Sequence, residues 1–183
     1  WDHLFSAAVV MVIPLLLLPL CVIGLTRTDA SEYECQIEWQ MGYGIPNAVD
    51  VADINSDDLS ELLVASMEGF AHVAGSQEGG YLSQWTSRNV GRHAVLGAGD
   101  TDGDGVQEIV VGGEAGYVYV FGFNGPDLEL EWQSQELDSC VVGIDIGDLD
   151  NDDQAEIAIR TSSQLYVFGS NGGSYSLEWY ETG

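Results

Sequence analysis

From Ala94 onward the chain alternates short apolar runs with small polar loops. "AVLGAG" leads into an acidic stretch, "EIVVGG" leaves it, "YVYVFG" alternates apolar and aromatic residues, and "LELEW" closes the set. Runs of about five β-branched and aromatic residues bounded by Gly, Asn and Asp are the pattern of strands joined by turns. The neighbouring stretches repeat it, with "LLVAS" and "FAHVAG" before and "EIAIR", "LYVFG" and "SLEW" after. No stretch after Glu34 carries a long helical period. The pattern predicts all-β structure.

The runs recur at a fixed step. "DINSDDLSELLVA" begins at Asp53, "DTDGDGVQEIVVG" at Asp100 and "DLDNDDQAEIAIR" at Asp148, which are 47 and 48 residues apart. Trp39, Trp85, Trp132 and Trp179 keep nearly the same step, and Gly75, Gly122 and Gly169 each precede a Trp by ten residues. Four short strands repeated every 40–50 residues or so are the signature of a β-propeller blade. The expected fold is therefore three complete four-stranded blades (about residues 47–85, 94–132 and 141–179) plus one isolated outer-type strand, "CQIEW" (Cys35–Trp39), in a partial propeller over 35–183. Each Trp is expected to pack on the neighbouring blade. Propellers close with 4–8 blades, so the missing ones are expected either from further sequence or from another chain.

The start of the chain follows a different pattern. Leu4–Leu25 runs for 22 residues without a charge, enough at ~1.5 Å per residue to cross a bilayer as a helix. Residues 1–25 are read as a transmembrane anchor, with a cleaved signal and a buried helix as the alternatives, and residues 26–34 as a linker. An anchor or signal places the rest on the extracellular side, anchored or secreted.

Charge narrows the partners. Thirty Asp and Glu stand against four Arg and no Lys, a net charge of −26. A basic surface for nucleic acid or anionic lipid is excluded. Cation-binding loops and adaptation to high salt both produce such acidity. Cys21, Cys35 and Cys140 form no metal motif, and His3, His72 and His93 are scattered, so zinc has no support. Cys35 and Cys140 are either a disulfide or two small buried residues.

The repeated loops carry the chemistry. The spacing D-x-[DN]-x-D-x-x-x-E puts oxygen side chains at loop positions 1, 3, 5 and 9, which a tight turn points inward, and position 7 adds a backbone carbonyl. Six or so hard oxygens suit Ca²⁺, while Mg²⁺ demands a stricter octahedron. The expected ligands are Asp53, Asn55, Asp57 and Glu61 with the carbonyl of Leu59; Asp100, Asp102, Asp104 and Glu108 with Val106; and Asp148, Asp150, Asp152 and Glu156 with Gln154. Three calcium sites result. Position 6 favours Gly for the sharp turn, which Gly105 supplies and Asp58 and Asp153 do not. The first loop is expected to be the weakest and the Gly105 loop the best formed.

These loops, with the "GAG" of Gly97–Gly99 before the second, resemble the FG-GAP (VCBS-type) repeats of integrin α-subunit propellers and microbial surface proteins. The resemblance spans Asn47–Gly183 and implies a calcium-bound propeller serving recognition or adhesion outside the cell. Glu at position 9, where Asp is frequent, and the absent Gly in two loops depart from that pattern. "GYVYVFGFNGPDLELEW" (Gly116–Trp132) is also similar to quinoprotein-like propeller repeats, which occur in dehydrogenases and scaffold lipoproteins.

Three function classes follow. The leading one is a non-catalytic calcium-binding module for an extracellular protein or glycan ligand. The second is part of a propeller-containing polysaccharide lyase or hydrolase, although no nucleophile motif or acid–base pair stands out from the loop carboxylates. The third is an assembly scaffold.

Overall fold

The computed structural model describes residues 42–182, other than 79, 126, 153 and 173, and the strand backbone of three earlier segments. Those segments are β1 (Ala8–Val10), β2 (Leu20–Asp29) and β3 (Glu32–Met41), an antiparallel sheet in the order β1-β2-β3. The helix expected over residues 1–25 falls mainly on residues outside this description; the backbone that is described there is strand. Among the described residues no helix is long and apolar enough to cross a membrane. The strand expected to stand alone, Cys35–Trp39, lies in β3 and pairs with β2.

Three four-stranded antiparallel sheets follow, each running in chain order. The first is β4 (Pro46–Ala52), β5 (Glu61–Ser66), β6 (Ala71–Gln77) and β7 (Gly80–Thr86). The second is β8 (Val95–Gly99), β9 (Glu108–Gly112), β10 (Val118–Phe123) and β11 (Leu128–Gln133). The third is β12 (Val141–Gly147), β13 (Glu156–Thr161), β14 (Gln164–Ser170) and β15 (Tyr175–Thr182).

Neighbouring sheets pack face to face, with β8 lying against both β4 and β12. Burial peaks at the second strand of each sheet and falls toward the outer edge. β5 and β9 are buried throughout, because neighbours cover both their faces, and this explains their unbroken apolar runs. β7 and β11 are largely exposed and accordingly polar between their aromatics. One core joins the first two sheets through Leu63, Val73, Ile109, Val111 and Phe121. A second joins the last two through Val110, Val120, Ile157 and Phe168. Close approach at the inner strands requires glycine: a Cβ on Gly99 would stand 2.6 Å from Ile146 Cγ2.

The periodic tryptophans have a packing role. Trp85 meets Phe121 of the second sheet edge-on at 5.0 Å, and Trp132 meets Phe168 of the third at 5.4 Å. Such pairs add about 0.5–1.5 kcal/mol beyond the area they bury. Each repeating Trp faces a Val across the ladder beside a register shift, at Val73↔Trp85, Val120↔Trp132 and Val167↔Trp179. Val22↔Trp39 between β2 and β3 has the same form, so β3 stands as a fourth strand to β2. Cys140 is a free thiol. It lies 3.2 Å from the Ser162 hydroxyl, and hydrogen bonds from Ser162 and Ser139 hold its pKa below the usual thiol range.

Candidate metal centre

Each acidic loop joins the first strand of a sheet to the second. A reversal that tight leaves successive N–H groups pointing into the loop, and short acidic side chains are the acceptors within reach. In the middle loop Asp100 accepts from Gly103 N–H at 2.8 Å and Gly105 N–H at 3.0 Å. Asp102 accepts from Asp104 N–H and Asp104 from Val106 N–H. The other loops repeat the scheme. Asp53 accepts from Asp57 and Asp58, and Asp148 from Asn151 and Asp152. Asn55 and Asp57 accept from Asp57 and Leu59, and Asp152 from Gln154. Leu59, Val106 and Gln154, expected as carbonyl ligands, thus enter these networks through their N–H groups.

In the first and middle loops the turn holds two left-handed residues, at positions 4 and 6. The middle loop fills both with glycine, Gly103 (φ 80°) and Gly105 (φ 90°). The first loop forces Ser56 (φ 57°) and Asp58 (φ 67°) into the same region, and the third does so with Asn151 (φ 69°). A non-glycine residue held there costs about 1–2 kcal/mol, less for Asn and Asp. Asp153 lies outside the described residues.

Two loops gather three carboxylates each. Ligand oxygens of Asp100, Asp102 and Glu108 lie within 4.8 Å of one another, as do those of Asp148, Asp150 and Glu156. Either group can hold a metal ion. Asp104 and Asp152 stand outside these groups, and among the described residues the carboxylates of the first loop form no such group.

Position 9 opens the second strand, which is why its Glu is buried. Glu61, Glu108 and Glu156 are 2%, 2% and 4% exposed. Each accepts the N–H of the position-2 residue through one oxygen: Ile54 at 3.3 Å, Thr101 at 2.7 Å and Leu149 at 2.7 Å. Burial pushes Glu108 up to about 7, with the Asp102 and Glu131 charges adding to it. Burial also raises Glu61 and, with its neighbouring carboxylates, Asp102. Charges this crowded favour a cation that neutralises them.

The middle loop has a further support. The Thr101 hydroxyl donates to Glu108 at 2.9 Å and accepts from Tyr175 of the third sheet at 2.6 Å. Thr101 is fully buried. The equivalent residue is Ile54 in the first loop and the exposed Leu149 in the third, so neither has this tether.

Sequence reasoning missed one more carboxylate in each of two sites. Glu131 feels Asp102 and Asp104, and Glu178 feels Glu156, Asp150 and Asp152; burial and these charges raise both pKa values. Each precedes a repeating Trp, and the first sheet has Gln84 there. The repeating glycine makes room for it: a Cβ on Gly75, Gly122 or Gly169 would overlap the head of Gln84, Glu131 or Glu178. That fixed Gly–Trp interval was the available signal.

No protein-family model matches the chain, and no curated protein matches it.

Proposed function

We propose that the chain is a calcium-binding β-propeller module of the FG-GAP type, displayed outside the cell, that recognises a protein or glycan ligand without catalysing a reaction. The observation that carries this reading is the repeated gathering of three carboxylates, in equivalent loops, between the first and second strands of successive sheets. The donors are oxygen only, with neither His nor Cys among them, which selects a hard cation. Calcium accepts the irregular oxygen sets that such loops offer better than magnesium does. Sheets packed face to face in chain order and locked by a Trp at each junction are the elements of a propeller. Further sheets, from more sequence or a second chain, complete the ring. Extracellular calcium matches sites with Kd of about 10⁻⁴–10⁻³ M.

Binding to the native state stabilises it by about 2.7 kcal/mol per site at a hundredfold excess over Kd. Two filled sites then raise the melting temperature by about 10–20 °C. Thermal melts in 10 mM calcium and in chelator, at low salt, read this directly. Coincident melts would refute calcium binding.

A further inference from the structure

The two junctions between the four-stranded sheets share a backbone and differ in a decisive side chain. Ser87 and Ser134 stand in the same place. Each hydroxyl accepts the first N–H of a third strand, Ala71 at 2.8 Å or Val118 at 2.9 Å. Each then donates to the carbonyl of the next residue, Arg88 at 2.7 Å or Gln135 at 2.8 Å. Two residues further, Val90 N–H bonds Gly69 and Leu137 N–H bonds Gly116, at 2.9 and 2.8 Å. Arg88 and Gln135 are therefore equivalent in space as well as in the repeat.

At the first junction the Arg88 guanidinium lies over the Tyr119 ring, 5.1 Å from its centroid. At the second junction the equivalent ring is Tyr166, and the equivalent of Arg88 is the shorter, neutral Gln135. A cavity of about 450 Å³ lies there, walled by Trp132, Gln135, Glu136, Tyr166, Phe168 and Tyr175. The cavity beside Trp85 at the first junction, about 320 Å³, is bordered by Ile54 and Leu128 and touches neither Arg88 nor Tyr119.

We propose that the second-junction cavity binds the guanidinium of an arginine side chain from a partner polypeptide, in the place where the first junction holds its own Arg88. Aromatic faces attract a cation, guanidinium above all. Glu136 supplies a carboxylate at the wall, held in position by the Tyr117 hydroxyl, which donates to it at 3.2 Å. The volume lies within the ~300–1,000 Å³ of small-ligand sites. A net charge of −26 draws basic partners toward the surface. The proposal rests on the recognition half of the function given above and names its partner's chemistry; no loop carboxylate lines the cavity.

The test is titration of the full chain with N-acetyl-L-arginine amide, followed by the indole NMR signal of Trp132, with N-acetyl-L-citrulline amide as the neutral isostere. A saturable shift is expected for arginine, at least tenfold weaker for citrulline. Gln135→Arg fills the cavity from within and is expected to abolish the shift. Arg88→Gln is expected to create a second site, seen at the Trp85 indole, and serves alone if Gln135→Arg does not fold. No saturable response, equal response to citrulline, or a response to methyl glucoside in place of arginine overturns the proposal. So does unchanged binding by Gln135→Arg or the absence of a second site in Arg88→Gln. Calorimetry with calcium on the same sample keeps the readings apart: arginine binding without calcium binding refutes only the metal, and the converse refutes only the cavity.

Discussion

The first and middle acidic loops have the same spacing and nearly the same backbone hydrogen bonds, yet of the two the middle one alone draws three carboxylates together. The first loop has Asn55 at position 3, Ile54 at position 2 and Gln84 on the outer strand. The middle loop has Asp102, Thr101 and Glu131 in those places. Position 3 accounts for the difference: the third loop has no tether, with Leu149 at position 2, yet gathers Asp148, Asp150 and Glu156, whereas Asn55 leaves the first loop one carboxylate short. A Thr tethered to the next sheet fixes Glu108, and an outer-strand Glu raises the local negative charge.

The sharpest way to break this comparison is to remove position 1 from each loop. Asp100→Ala and Asp53→Ala each delete the carboxylate that accepts from two backbone N–H groups, those of Gly103 and Gly105 or of Asp57 and Asp58. That cost is similar in both, so the calcium-dependent part of the melting shift isolates the metal. Asp100→Ala is expected to lose about 2.7 kcal/mol of it, or roughly 5–10 °C. Asp53→Ala is expected to lose less than half as much. Equal losses would show the two loops to be equivalent.

Protons offer a second contrast, in chelator. Glu108 is held near 7 in the folded protein against 4.5 for its ordinary value. A carboxyl whose folded pKa is raised keeps its proton in the native state while the unfolded chain releases it. Its contribution is fully present below the unfolded value and is lost as pH rises through the folded one. Cation-free stability should therefore fall between about pH 4.5 and 7, by on the order of 2 kcal/mol from this group. Denaturant titrations at pH 5 and pH 8 measure it. Glu108→Gln is expected to flatten the fall, and Glu61→Gln to flatten it less. A slope untouched by Glu108→Gln would remove this group as its source.

Much of the fold was readable because its devices are local. Strand runs, Gly-rich turns and the Trp step all fall within one repeat, and an alternating acidic turn is recognisable from a dozen residues. The rest depended on contacts between repeats. Thr101 and Tyr175 are 74 positions apart and meet only once the second and third sheets pack. Glu131 reaches Asp102 through the bulged pairing of β10 with β11, and that register is not visible in spacing. The left-handed Ser56 was missed because only position 6 was asked for glycine.

If two missing carboxylates set the first loop apart, it can be rebuilt to match the middle one. Asn55→Asp restores the position-3 carboxylate. Gln84→Glu places a charge over Gly75, where Glu131 sits over Gly122, in space that the glycine already leaves. Each of the two added charges, screened as in bulk water at ~4 Å, is worth about 1 kcal/mol. The double variant should therefore raise the first loop's calcium affinity by about thirtyfold. Calorimetry in an Asp100→Ala, Asp148→Ala background reads that loop by itself. The tether is left out on purpose: Ile54 still cannot bond Glu61 from its side chain. A gain of about thirtyfold means charge is what the first loop lacks. No gain would assign the difference to the loop backbone, where Ser56 and Asp58 hold the left-handed positions that Gly103 and Gly105 fill in the middle loop.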